Sequence, residues 1–190
     1  LFYLDHGQFP ANDMWLVQFI YHGIPWAGRV LFASSILLLI VAVLMPSKVS
    51  RRNWRRACAV VTVVVLGIGL LVHTVLKDGM GRPRPRDVQT FAGPVHFVPA
   101  FTPSNFCATN CSFVSGHAAM GFYWLSLAWV LKRRYWLLVG LVLGSFVGLG
   151  RILQGNHFLS DIVFSFWTVY FSACVIATCF GLRFQKKEAL

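Results

Sequence analysis

The sequence predicts an all-α integral membrane protein, a helical bundle with five visible spans and a polar site gathered on its outer face. Three observations carry this. Of the 190 residues, 57% are hydrophobic and only 12% charged, against about 25% charged in an average soluble domain. The apolar residues fall into five runs, most of them near the roughly 20 residues a helix needs to cross a bilayer. The basic residues collect in alternate turns between those runs. Mean hydropathy is +0.65.

Residues 1–25 are mixed. Trp15, Leu16, Phe19 and Ile20 recur at helical spacing, and Asn12 or Asp13 stands where a cap belongs. This predicts a short amphipathic helix, lying in the membrane interface or packed on the domain. The first span covers about 27–45, with Trp26 as an interface anchor and Arg29, Ser34 and Ser35 as its polar residues. Pro46 ends it. The second span, about 57–76, is rich in valine and leucine. A long proline-rich loop, 77–112, carries Arg82, Arg84 and Arg86. A connection of that length without elements of its own is usually functional or disordered. The third span, about 113–131, has Ser115, Gly116 and His117 at its mouth. The fourth, about 135–150, is glycine-rich, which favours close helix packing. The fifth is about 162–182.

Charge supplies the orientation. The turns at 47–56 and 132–134 and the C-terminal tail hold eleven basic residues and one acid, Glu188. By the positive-inside rule they face the cytoplasm. The 77–112 loop, the mouth of the third span and the stretch 151–161 then share the opposite face. The net charge of +11 is thus mainly a topology signal, and it does not call for a nucleic-acid partner. The chain opens on Leu1, and five spans leave residues 1–25 outside, so a sixth span is expected upstream. Of five cysteines, Cys58, Cys174 and Cys179 lie in or beside apolar runs and read as small apolar residues. Cys107 and Cys111 lie in the polar loop. A disulfide fits them if that loop meets an oxidising compartment; a metal site with His96 is the weaker alternative.

Three clusters meet on the outer face. Lys77 and Arg84 leave the second span with two cations. Ser115, Gly116 and His117 open a helix, where free N–H groups and the dipole favour an anion. In Arg151–Asp161, His157 and Asp161 are four apart, which on a helix places them on one face. The carboxylate would orient the imidazole and leave its other nitrogen to act as nucleophile or base. Arg151 would hold an anion beside it. These residues form a cradle for a tetrahedral oxyanion, and phosphoryl transfer needs little beyond positioning, charge neutralisation and an in-line nucleophile. The acids are scattered, which suits no Mg²⁺ site; no metal or other cofactor is expected.

The ordered pattern Lys77-x6-Arg84-Pro85, Ser115-Gly116-His117 and Arg151-x5-His157-x3-Asp161 resembles the type 2 phosphatidic acid phosphatase superfamily. Val114 stands where the family has proline and Gly150 where it has serine. The resemblance implies one membrane domain over 1–190 and metal-independent dephosphorylation of a membrane lipid. In those terms His157 attacks phosphorus and forms a phosphohistidine, Asp161 orients it, and His117 protonates the leaving oxygen. Lys77, Arg84, Ser115, Gly116 and Arg151 bind the phosphate. Arg82 and Arg86 are open to a second phosphate or a headgroup, or to plain solvated charge, and His73 stands one turn before Lys77. Gly7–Pro10, Trp15 and Cys111–His117 look closest to bacterial inner-membrane members acting on lipid A, phosphatidylglycerophosphate or undecaprenyl diphosphate, and phosphatidic acid is a further candidate substrate. That places the site in the periplasm and favours a Cys107–Cys111 bridge. The alternatives are a lipid-to-lipid phosphotransferase using the same residues and a non-enzymatic anion or lipid transporter. Oligomeric state has no sequence signal.

Overall fold

A computed structural model describes residues 13–182 together with Phe9, Ala11 and Phe184. Among these residues the chain is helical and contains no strand, only an isolated bridge between Val88 and Val95. The order is α1 (Trp15–Leu44), α2 (Arg51–Asp78), a long loop, α3 (Gly116–Phe122), a tighter turn (Tyr123–Ser126), α4 (Leu127–Val130), α5 (Tyr135–Leu153) and α6 (Leu159–Cys179). Four of these, α1, α2, α5 and α6, are long and apolar enough to cross a membrane. The protein is a multi-pass membrane protein.

Two elements differ from the sequence expectation. Residues 15–25 do not form a separate interfacial helix, because α1 runs unbroken through Pro25. Pro25 has no N–H for the carbonyl of Tyr21 one turn earlier, yet the apolar surface on both sides of it is continuous. The third span is a broken helix from Gly116 to Val130. At 1.5 Å per residue it covers about 22 Å, short of a hydrocarbon core of about 30 Å. It is the centre of the bundle: Ala118, Ala119, Phe122, Tyr123, Leu125 and Ala128 are buried. Glycines of α5 allow this. A Cβ at Gly144 would come within 2.1 Å of the Phe122 ring, and one at Gly140 within 2.3 Å of the Leu125 backbone.

The long loop is ordered. Short turns at Pro85–Asp87 and Gln89–Phe91 build it, and Val88 and Val98 are buried. Its ends are tied by Ser112 N–H donating to the Arg82 carbonyl (2.8 Å) and Ser104 N–H to that of Met80 (2.9 Å). Cys107 and Cys111 are disulfide-bonded. At the far end of the bundle, Arg134 lies 5.3 Å from the Phe184 ring and Arg55 approaches Gly181. The basic turns and the end of α6 therefore share one end, and the loop and the motif residues share the other. Of the segment 7–10 only Phe9 is described, and Arg183, Lys186 and Lys187 of the tail lie outside the described residues.

Candidate active site

The turn between α5 and α6 brings Arg151 and His157 together. The Gly155 N–H donates to the Ile152 carbonyl (2.9 Å) and the Asn156 N–H to that of Arg151 (3.0 Å). This double closure needs a left-handed residue, and Gly155 supplies it at φ +65°. His157 is not on a helix with Asp161, as the four-residue spacing suggested. It precedes α6, and Asp161 in the first turn reaches back to accept from the Phe158 N–H (2.8 Å). The pair meets through this capping turn, with Nδ1 of His157 3.4 Å from Oδ2 of Asp161.

That separation is longer than a normal hydrogen bond. The nearer partner of His157 Nδ1 is the Ser112 carbonyl, at 2.8 Å. A carbonyl only accepts, so Nδ1 carries the proton and Nε2 keeps its lone pair. Burial pushes the His157 imidazole down to about 4; Asp161 opposes the shift, and the positive charges of Arg151 and Lys77 add to it. At neutral pH the ring is uncharged, with a free nitrogen.

Asp161 holds the centre. Its Oδ2 also accepts from the Ser112 hydroxyl (2.5 Å), and its Oδ1 takes Arg82 Nη1 (2.5 Å). Arg82 is buried. Its Nε donates to the Val98 carbonyl (2.8 Å), and its guanidinium lies 4.2 Å from the Phe158 ring. Neither role left open by the sequence, headgroup contact or solvated charge, suits this position. Arg86 remains half-exposed beside Asp87 (3.9 Å).

Arg84 donates to Asn156 Oδ1 and to the Asn110 carbonyl, both at 2.7 Å. Arg151 donates from Nη1 to Gln154 Oε1 (2.7 Å), and its buried Nε has no partner. Lys77 is buried. Among the described residues neither Lys77 nor Arg151 pairs with a carboxylate. Ser115 caps α3, its hydroxyl accepting from the Ala118 N–H (3.4 Å), and its N–H donates to the Asp161 carbonyl (3.3 Å). Ser165 fastens the same junction, its hydroxyl donating to the carbonyls of Ser115 (3.0 Å) and Asp161 (2.6 Å). At Gly116 an added Cβ would lie 2.7 Å from the His73 ring, so this glycine also makes room for an imidazole. His117 lies within electrostatic reach of Arg151, Lys77 and His157.

Sequence reasoning missed Tyr21. Its ring lies 4.5 Å from that of His117, and the Arg151 guanidinium lies 4.6 Å from the Tyr21 ring centre. It also lies within electrostatic reach of Arg84. Val17, one turn earlier on α1, covers Gly150, where an added Cβ would sit 3.4 Å from its Cγ1. A tyrosine in the mixed segment before the first apolar run carries no local sign of this position. Among the described residues no three His, Cys, Asp or Glu side chains are grouped as metal ligands.

A neutral imidazole with a free Nε2, set among unpaired cations at one end of a bundle of membrane helices, is the equipment of a membrane-bound phosphatase hydrolase. Residues 56–185 match the PAP2 superfamily. The chain belongs to that superfamily, and it is an enzyme of its phosphatase class. A lipid A 4'-phosphatase of Francisella tularensis subsp. novicida is 38% identical over 171 residues, 86% of this chain and 75% of the relative. Lipid A 4'-phosphatases of Rhizobium etli and Rhizobium leguminosarum are 37% and 38% identical over 120 residues, 60% of this chain. The matched part spans 47% and 52% of those two relatives. No solved structure matches the chain.

Proposed function

We propose that this protein removes a phosphate from a phosphorylated membrane lipid through a phosphohistidine on His157, and that the lipid is of the lipid A type. The carrying observation is the bond from His157 Nδ1 to the Ser112 carbonyl, which leaves the Nε2 lone pair free. Lys77, Arg84 and Arg151, with the Ser115 hydroxyl and the Gly116 N–H, neutralise the equatorial oxygens. Nε2 forms a bond to phosphorus as the bond from phosphorus to the lipid oxygen breaks. In the free protein burial, then the charges of Arg151 and Lys77, push the His117 imidazole down to about 3; the negative charge of the bound phosphate opposes them, and His117, protonated in the complex, gives that oxygen its proton. His117, now neutral, then takes a proton from water as the water attacks phosphorus. The N–P bond breaks, His157 recovers its lone pair and phosphate leaves.

The names of the relatives support the lipid A assignment. The gathering of basic turns at one end supports a periplasmic site in an inner membrane. The test is an alkaline quench of turnover on lipid labelled in its phosphate, with EDTA present. Label is expected on His157, acid-labile, and absent from His157→Ala. Phosphate release that persists in His157→Ala would reject the assignment.

A further inference from the structure

α1 and α2 leave a cleft of about 470 Å³ between them, lined by Arg29, Phe32, Ile68, Gly69, His73 and Met120. A smaller cavity of about 250 Å³, beside His157, has apolar walls and only the imidazole as a polar group apart from backbone. The cleft differs because it contains a permanent cation. Arg29 is exposed in the middle of α1, and among the described residues it pairs with no carboxylate. A guanidinium in an apolar span is costly and marks a functional site by default.

The cleft ends at the start of α3. His73 forms part of its wall, and the same ring packs on Gly116. Arg29 lies within electrostatic reach of His117. In the proposed reaction His117 protonates the leaving oxygen, so the lipid alcohol departs on this side. The apolar walls suit its chains. A planar guanidinium suits a tetrahedral oxyanion, which it can hold by two parallel hydrogen bonds.

We propose that the cleft between α1 and α2 holds the departing lipid and that Arg29 binds a second phosphate on it, so that the enzyme selects lipids carrying two phosphates over those carrying one. This rests on the phosphatase activity proposed above. The test compares bisphosphoryl lipid A with the monophosphoryl form that keeps the 4'-phosphate, in the wild type, Arg29→Ala and Arg29→Lys. The wild type is expected to favour the bisphosphoryl lipid in kcat/KM by about tenfold or more, the range of a charge-assisted contact. Arg29→Ala should erase that ratio through KM, and Arg29→Lys should keep part of it. Loss of folding lowers both rates and leaves the ratio standing, so the ratio reports recognition.

Binding of the two lipids to His157→Ala, with and without Arg29→Ala, gives a readout that does not depend on turnover. Selective binding lost with Arg29 supports the cleft even if the phosphohistidine fails. A wild type without preference, or a ratio unchanged in Arg29→Ala, would overturn the proposal.

Discussion

At the residue scale, the proposed catalysis turns on a histidine kept neutral by burial and aimed by a backbone carbonyl. The acid limb of kcat/KM should therefore fall as pH drops through about 4, because protonation of Nε2 removes the attacking lone pair. The stability contribution has the same sign. The folded ring titrates below its unfolded value of about 6.5, so the contribution is complete above that pH and is lost as pH falls toward 4. Asp161→Asn removes the influence that raises the imidazole, so its residual acid limb should move lower still, as a pH–rate profile would show. An acid limb near 6.5 in the wild type would contradict the burial argument. Arg82 is the second residue to test. Its pairing with Asp161 is almost wholly buried on both sides, and removing one partner of such a pair costs about 3–5 kcal/mol. Arg82→Ala should lower thermal stability in detergent and disorder His157, whereas a headgroup-binding arginine would alter KM with the fold intact. The motif residues were legible because the chemistry sits in short, fixed spacings. Arg82 and Ser112 were not, because they meet Asp161 from 79 and 49 residues away, and local spacing carries no sign of such contacts.

At the element scale, the short broken helix from Gly116 to Val130 depends on α5 for its place. Gly144→Ala would drive a methyl into the Phe122 ring, and overpacking of this kind costs about 1–3 kcal/mol. The expected result is a lower unfolding temperature and reduced activity, since α3 carries Ser115 and His117 at its start. Gly69→Ala is the control: its added methyl would lie no closer than 3.5 Å to its neighbours, so its unfolding temperature should stay near the wild type. Helix existence could be read from apolar runs, but helix ends could not. α1 begins about twelve residues before the expected span because an interfacial stripe and a spanning run join without a break in the backbone. The third run is shortened because Ser112 and Ser115 spend their backbone N–H groups on the carbonyls of Arg82 and Asp161 and so do not extend the helix. Tyr21 belongs to this scale too. Tyr21→Ala should raise KM and lower kcat by freeing both His117 and Arg151, and Tyr21→Phe should keep most of the ring stacking; steady-state kinetics on the two variants separates ring from hydroxyl.

At the scale of the whole molecule, the fold sorts charge by end. All-helical architecture, membrane residence and the gathering of three motifs were readable from composition and the placement of basic turns. The number of full crossings was not, because hydropathy cannot distinguish a complete span from a buried short one. Orientation has a direct test. In a background without the free cysteines Cys58, Cys174 and Cys179, Thr102→Cys in the long loop should react with an impermeant maleimide added to spheroplasts. Ser47→Cys in the turn between α1 and α2 should react only after the membrane is opened. The reverse pattern would place the site in the cytoplasm.

The link between Arg82 and Asp161 has a consequence for how the enzyme comes into being. A nascent chain emerges with Lys77, Arg82 and Arg84 first and must wait through α3, α4 and α5 for the carboxylate that Arg82 serves. Until α6 begins, His157 has neither its capping turn nor the Ser112–Asp161 connection that fixes its ring. The ribosome can therefore release most of this protein into the bilayer while it is still chemically inert. On the proposed mechanism competence arrives in one late step, when α6 enters, and a product terminated before it is left without an attacking histidine.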